Sequence, residues 1–173
     1  NFHEKENRLQ RERLLNLLKA AMQWFRGQMN DRDGSLALGY IKDRGILPAT
    51  AEHFSIGFAP SARNQLKKAM IKIGFSEKEL ILVGLIIQPE DGRESYDRFR
   101  NRLIFPITDK RGRPVGFGGR ALSESSAKYL NSPETNFFHK GSLLYNLTGS
   151  REEIKNFVQV SPLSKLLKDD YFP

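Results

Sequence analysis

Hydrophobic residues near the start of the chain recur at intervals of three and four, a spacing that predicts an amphipathic helix over residues 6–29. The apolar positions of this helix are Leu14, Leu18, Met22, Phe25 and Met29. A shorter helix is predicted over residues 35–42. It should end at Arg44-Gly45, because glycine readily adopts the left-handed conformation that closes a helix.

The pattern then alternates over residues 54–59, which predicts a short strand before Pro60. Two helices are predicted next, over residues 64–73 and 76–83, with Gly74 between them. Three lysines of the first helix are interpreted as solvated side chains: Lys67, Lys68 and Lys72.

A β-hairpin is predicted in the second half of the chain. Residues 102–108 and 114–120 have strand character, and the polar connection between them contains a glycine, which is typical of a hairpin loop. Pro106 lacks a backbone N–H, so it predicts an edge or bulge position within its strand. We therefore predict an α+β fold in which N-terminal helices pack on a small mixed or antiparallel sheet with a basic exposed face.

Composition narrows the function classes. The chain has 173 residues and no cysteine, which excludes a disulfide, a thiolate zinc site and a cysteine nucleophile within it. No apolar run reaches the roughly 18–20 residues of a membrane span, and the N-terminus is too charged for a signal peptide. These features predict a cytoplasmic protein without a membrane partner. The net charge of +8 favours a polyanionic partner such as nucleic acid, although many basic proteins bind none.

Much of the positive charge lies in residues 93–120, where eight Lys or Arg residues face three acids, a net charge of +5. Three of the arginines alternate, and in an extended strand they would leave one face together at steps of roughly 7 Å, close to the phosphate repeat of an extended nucleic-acid strand. The alternative is a solvated strand face balanced by its acidic neighbours. The basic residues are Arg93, Arg98, Arg100, Arg102, Lys110, Arg111, Arg113 and Arg120.

Aromatic and glycine residues accompany this charge. Phe99, Phe117 and Tyr129 fit either of two roles, stacking on bases or packing in the core. The glycines of residues 116–119 lack the spacing of a phosphate-binding loop, so they predict the close approach of another backbone or a ligand.

The sequence contains no carboxylate cluster suited to Mg²⁺, and its one acidic pair near the end, Asp169-Asp170, has the setting of a tail. His53 and His139 lack neighbouring ligands at metal spacing and are interpreted as structural or solvent-facing. The sequence therefore predicts no metal site.

Several motifs follow one another in the second half of the chain. They comprise residues 96–107, 109–120, 128–135, 138–141 and 144–145, preceded by Arg44-Gly45 and residues 56–60. Their sequence and order closely resemble bacterial DnaG-type DNA primases over roughly residues 10–147. The match corresponds to the N-terminal subdomain of the RNA polymerase core, which precedes the Toprim subdomain.

The resemblance implies a DNA-directed RNA polymerase, a nucleotidyltransferase that joins ribonucleoside triphosphates into short RNA primers on single-stranded DNA during replication. It also implies Mg²⁺ or Mn²⁺ on acidic residues of the Toprim subdomain, Zn²⁺ in an N-terminal module, and a replicative helicase bound through a C-terminal region as part of the primosome. None of these three regions matches this sequence. We therefore expect an inactive fragment without a metal: a helical part (1–53), a basic subdomain (54–147), and a connector or tail foreign to the family (148–173).

Site residues follow from the resemblance position by position. Arg44, Lys128, Asn131 and Lys140 match residues that line the nucleotide cleft, while Tyr129, Leu130 and Pro133 are assigned to shaping the turn. No catalytic residue is expected in this chain. The positions assigned to DNA are Arg98, Arg100, Arg102 and Arg120, together with the hairpin residues Lys110, Arg111 and Arg113.

Two other hypotheses remain open. The chain could be a non-catalytic module that binds single-stranded nucleic acid through its basic hairpin, or a structural domain whose charge only keeps it in solution. The order of the motifs favours the primase, whereas charge alone does not separate the primase from the binding module.

Overall fold

The computed structural model describes residues 2–123 and 127–136. Its helices are α1 (Phe2–Gln28), α2 (Gly34–Asp43), α3 (Pro48–His53), α4 (Gln65–Lys72) and α5 (Glu77–Leu82). Its strands are β1 (Gly57–Ala59), β2 (Ile86–Ile87), β3 (Tyr96–Asp97), β4 (Arg102–Thr108), β5 (Pro114–Ala121) and β6 (Tyr129–Asn131). Strands β1, β4, β5 and β6 form an antiparallel sheet in that order, and β2 pairs with β3 separately. The predicted α+β fold is confirmed.

One face of the four-stranded sheet is covered by α1. The register of β4 against β5 places Ile104 and Phe117 on this face, where they pack in one core with Leu18 of the helix. Phe25 and Phe99 complete a trio with Phe117, and their ring centroids lie 5.4 to 6.3 Å apart in edge-to-face geometry. Burying each ring contributes roughly 1.5–3 kcal/mol, so this trio is a large part of the core.

The predicted close approach at the β5 glycines is observed at Gly119. A Cβ atom placed there would lie 2.9 Å from Cδ1 of Phe99 and 3.1 Å from Cδ of Arg102. The close neighbours are therefore side chains of the chain itself, and the glycine lets Phe99 lie flat against β5. Phe99 and Phe117 are core residues, so for these two of the three aromatic residues the core role is the one observed.

The other face of the sheet is covered by α2 and the segment that follows it. Ala37 and Ile41 of α2 pack with Ile46 against Phe58 of β1 and Leu103 of β4. Both faces of the sheet are therefore largely buried, and functional side chains on it lie near its ends.

The element bounds mostly follow the hydrophobic pattern. The hairpin of β4 and β5 spans the predicted residues to within one position, and Gly45 after α2 has the expected positive φ of 69°. Pro106 of β4 pairs with Phe117 of β5, whereas the other neighbour of β4, strand β1, pairs with it only at residues 102–104. Pro106 thus occupies a stretch of β4 that has a strand partner on one side only among the described residues, which agrees with its prediction.

Two local predictions are wrong. The strand expected over residues 54–59 begins only at Gly57, because α3 forms just before it with Pro48 in its first turn, where the ring's fixed φ favours helix. Lys67 is also not solvated: it is 7% exposed, and its Nζ lies 3.3 Å from Glu77 and 3.2 Å from Glu94. Burial lowers the pKa of Lys67, but hydrogen bonds to the two glutamates outweigh burial and raise it above its ordinary value.

Candidate nucleic-acid and nucleotide site

Several of the predicted site residues lie on the sheet face that α2 covers. Arg120 of β5 is directly opposite Tyr129 of β6, and Gly118 is opposite Asn131. Because strand residues two apart share a face, Arg120, Tyr129 and Asn131 lie on the same side. This side also carries Leu103, so the polar residues continue the surface that packs against α2.

Tyr40 of α2 links these residues to Arg44, one helical turn further along. The Cζ atom of Arg44 lies 5.1 Å from the centroid of the Tyr40 ring, and that of Arg120 lies 4.8 Å from it. Arg120 also lies 5.7 Å from the Tyr129 ring, and Lys128 Nζ lies 5.5 Å from the same ring. All four distances are in the range of cation–π attraction. We call these five residues, Tyr40, Arg44, Arg120, Lys128 and Tyr129, the Tyr40 cluster.

The Tyr40 cluster contains two buried polar atoms without a hydrogen-bond partner among the described residues, Nε of Arg120 and Oη of Tyr40. Leaving such a group unsatisfied costs roughly 1–3 kcal/mol, which is unusual in a folded chain. Arg120 is only 8% exposed, and its guanidinium lies against the rings of Tyr40 and Tyr129. The cluster therefore presents an unsatisfied donor beside the exposed Lys128.

Two of the four residues predicted to bind nucleotide lie close together in the structure. Arg44 and Lys128 both belong to the Tyr40 cluster, and Asn131 is exposed at the end of β6, with its Oδ1 beside the position of Gly118. Arg120, which was assigned to DNA, lies within this group. Lys140 lies outside the described residues, as do His139 and residues 148–173.

The prediction that Arg98, Arg100 and Arg102 share one strand face is wrong. Asn101 has a positive φ of 50°, and β3 and β4 are separate strands on either side of residues 98–101. The cause is Phe99, which turns inward against Gly119 and breaks the extended path.

These three arginines have different environments. Nε of Arg98 donates to the carbonyl of Gly84 at 2.8 Å, and Nη1 of Arg102 donates to the carbonyl of Ala127 at 2.6 Å. Burial lowers the pKa of both guanidinium groups, and Arg102 is only 6% exposed. Arg100 is exposed, so it is the one of the three whose guanidinium is well placed for a ligand.

Arg100 forms a second stack that the sequence pattern did not predict. Its Cζ lies 5.0 Å from the ring centroid of Tyr96, and the Cζ of Arg63 lies 4.6 Å from that centroid. Arg63 is also exposed and donates to the carbonyl of Glu94 at 3.3 Å. We call Arg63, Tyr96 and Arg100 the Tyr96 stack.

The three basic residues of the hairpin also differ in environment: one is paired with an aspartate and two are exposed. Arg113 is held by Asp109, with Nε and Nη2 at 2.8 and 2.7 Å from Oδ2, and Oδ1 accepts the backbone N–H groups of Arg111 and Arg113. Burial raises the pKa of Asp109, but these hydrogen bonds outweigh it and keep the pKa below its ordinary value. Lys110 and Arg111 are exposed at the tip.

Neither a metal cluster nor a membrane helix is found in the part of the chain that the structure describes. No group of three or more His, Asp or Glu residues there is arranged to hold a metal ion. The described helices also include none that is long and apolar enough to cross a bilayer.

Comparison with known proteins gives a consistent family. Residues 24–151 match the family model described as the DNA primase catalytic core, N-terminal domain. The DNA primase of Pseudomonas putida is 40% identical over 145 residues, and that of Clostridium acetobutylicum is 47% identical over 130 residues. These alignments cover 83% and 75% of this chain but 22% and 21% of the relatives. The chain therefore spans about a fifth of the length of these curated relatives.

Solved structures agree. The DnaG primase catalytic domain bound to ssDNA has a TM-score of 0.70 and 40% identity, covering 82% of this chain and 43% of that one. The RNA polymerase domain of Mycobacterium tuberculosis DnaG, in complex with a double-stranded DNA oligomer with a 6-nucleotide overhang, has a TM-score of 0.70 and 36% identity, covering 75% and 40%. The Aquifex aeolicus primase, with zinc-binding and RNA polymerase domains, has a TM-score of 0.62 and 33% identity, covering 76% and 32%.

Proposed function

We propose that this chain, which belongs to the family of the DNA primase catalytic core N-terminal domain, forms the template- and nucleotide-binding part of a primase. The observation that carries the proposal is the Tyr40 cluster, which gathers residues separated by up to 89 positions in sequence around one pair of aromatic rings. The whole enzyme would synthesise short RNA primers on single-stranded DNA during replication.

In this proposal the Tyr40 cluster holds a ribonucleoside triphosphate. Arg44 and Lys128 supply positive charge for the phosphates, and the largely buried guanidinium of Arg120 adds positive charge beside the Tyr40 and Tyr129 rings. The amide of Asn131 can both donate and accept, which suits a sugar or base edge. Lys140 joins this site in the proposal on its family resemblance.

The Tyr96 stack is proposed as the main contact with template DNA. Its two exposed arginines both lie within about 5 Å of one ring, so they offer donors to neighbouring phosphates while the ring keeps them in place. Arg98 and Arg102 then support this surface from below through their bonds to backbone carbonyls. A primase catalytic domain bound to ssDNA, 40% identical to this chain, supports template binding in general, and the assignment to the Tyr96 stack is our proposal.

The remaining parts of the activity are proposed for regions outside the described residues. The acidic residues that bind Mg²⁺ or Mn²⁺ would belong to a Toprim subdomain, and Zn²⁺ to an N-terminal module; a solved Aquifex aeolicus primase structure with zinc-binding and RNA polymerase domains supports the presence of a zinc module. We also propose contact with a replicative helicase through a C-terminal region, a role in the primosome, a cytoplasmic location, and the division into residues 1–53, 54–147 and 148–173.

The experiment measures primer synthesis and DNA affinity side by side in a full-length primase that carries this segment. Lys128→Ala should lower primer synthesis at least tenfold, chiefly by raising KM for the nucleotide, while the affinity for single-stranded DNA changes by less than about twofold. Lys72→Ala, an exposed lysine on α4, is the matched control. Unchanged synthesis by the Lys128 variant would refute the nucleotide role, and a wild-type protein that binds DNA without priming would favour a non-catalytic binding module.

A further inference from the structure

A cavity of about 550 Å³ lies between the N-terminal half of α1 and the tip of the β4–β5 hairpin. Arg8, Arg11 and Leu15 line it from the helix, and Lys110, Arg111 and Arg113 line it from the hairpin. Neither the Tyr40 cluster nor the Tyr96 stack contributes a lining residue. We call this cavity the hairpin pocket.

The hairpin pocket is strongly basic. Among the described residues, its lining carries five Arg or Lys side chains against two acids, Glu12 and Asp109, a net charge of +3. The Asp109 carboxylate is already engaged by Arg113 and by backbone N–H groups, so it neutralises little else. The side chains of Arg8 and Arg111 are exposed, so their charge is available to a ligand.

The position of the hairpin pocket separates it from the proposed template and nucleotide contacts. Strand β4 begins with Arg102 and Leu103, and Leu103 pairs with Arg120. The pocket adjoins the other end of β4, at Thr108. At about 3.4 Å per residue, the two ends of this strand are roughly 20 Å apart. The pocket is therefore a site of its own at the far end of the hairpin.

The chemistry of the lining indicates phosphate groups in a strand. Guanidinium forks match phosphate oxygens, and opposed basic residues from two elements can hold a backbone from both sides. None of the described residues that line the pocket is aromatic, so this part of the chain offers no platform there on which a base could stack. This favours the backbone of a nucleic-acid strand over a free nucleotide.

We propose that the hairpin pocket binds the phosphate backbone of a nucleic-acid strand as a second, base-independent contact. That the strand is single-stranded DNA rests on the proposed function. It adds Arg8 and Arg11 of α1 to the residues that contact the strand.

The test uses the 173-residue chain and a fluorescein-labelled oligo-dT of about 20 nucleotides, with affinity measured by anisotropy across a salt series. Removing two phosphate contacts by Arg8→Ala with Arg111→Ala should flatten the plot of log K against log salt by about 1.4. Between about 50 and 200 mM salt, the wild type should then lose roughly sevenfold more affinity than the variant. Lys72→Ala with Lys78→Ala removes the same charge from exposed helix positions and should keep the wild-type slope.

The outcomes separate this proposal from the proposed function. If the pocket variant keeps the wild-type slope while Arg100→Ala weakens binding, the hairpin pocket is overturned and the template role of the Tyr96 stack stands. If the wild type binds no DNA at low salt, both fail.

A second measurement identifies the ligand. The chain has no cysteine, so Thr108→Cys gives a single labelling position beside the pocket. Its fluorophore should respond to oligo-dT but not to tripolyphosphate at equal phosphate concentration. An equal response to tripolyphosphate would overturn the strand in favour of a free polyphosphate.

Discussion

The carboxyl group of Asp97 makes the stability of this chain depend on pH in an uncommon direction. It lies at the start of α4, where Oδ2 accepts the N–H of Leu66 at 2.8 Å and Oδ1 accepts that of Lys67 at 2.9 Å. Asp97 is 3% exposed. Burial raises its pKa to about 6, although the backbone hydrogen bonds and the charge of Arg100 act to lower it.

The magnitude follows from the two pKa values. A rise from 3.8 to about 6 corresponds to about 3 kcal/mol at about 1.36 kcal/mol per unit. The folded chain holds this proton more tightly than the unfolded chain. The contribution of Asp97 to stability is therefore fully present below about pH 4 and is lost as the pH rises through about 6. Glu79 acts in the opposite direction, because hydrogen bonds with Arg13 lower its pKa to about 2.

Urea denaturation of the wild type and Asp97→Asn, at several pH values between about 4 and 7, isolates this contribution. The amide does not titrate, and its lost hydrogen bond adds only an offset that is independent of pH. The free energy of unfolding of the wild type minus that of the variant should fall by about 2 kcal/mol between about pH 4 and 7, which is most of the full difference. Asp43→Asn, at an exposed aspartate on α2, is measured alongside as the matched control. A difference for Asp97→Asn that stays flat or rises with pH would refute the reasoning.

Two further predictions concern packing. Lys67→Ala should lower the free energy of unfolding by about 1–2 kcal/mol, since it removes a buried stem and two ion pairs, while Lys68→Ala at an exposed position should stay within about 0.5 kcal/mol. Gly119→Ala should cost about 1–3 kcal/mol because its Cβ meets Phe99, and Gly39→Ala, in the open on α2, should stabilise by about 0.5–1 kcal/mol. Thermal and urea denaturation of the four variants checks both pairs; a reversal of order within either pair would contradict the packing described.

Sequence periodicity predicted the long elements because their signals are local. The spacing of Leu14, Leu18 and Phe25 identifies the buried side of α1, and the bounds of β4 and β5 follow from their composition and the polar loop. Strand β6 was not predicted. Its three residues are held by pairing with β5, an interaction that no local pattern records.

The arginine face shows where such reasoning stops. An alternating run predicts a continuous strand over residues 98–102, but Phe99 reaches the core only if the backbone turns at Asn101. That turn depends on the space above Gly119, which lies twenty residues from Phe99 in sequence. The prediction failed because a tertiary contact overrode a local preference.

The candidate site was predicted residue by residue and not as an arrangement. Arg44, Arg120 and Lys128 were each assigned to a ligand from family resemblance, but Tyr40 carried no signal in a short apolar helix. Arg63 was likewise missed, since its partner Tyr96 is more than thirty residues away. A search for aromatic residues that two distant basic residues could approach would have needed the fold first.

The alternation along β5 ties two properties of the chain to a single pairing register. Phe117 and Gly119 lie on the face of β5 that packs against α1. Gly118 and Arg120 lie on the opposite face, where Arg120 contacts Tyr40. Deleting one residue within β5 would exchange the two sets of side chains, placing a guanidinium in the hydrophobic core and a phenyl ring beside Tyr40. A one-residue deletion within this strand should therefore be more costly than a two-residue deletion, so one-residue gaps in an alignment of relatives should be rare across residues 114–121.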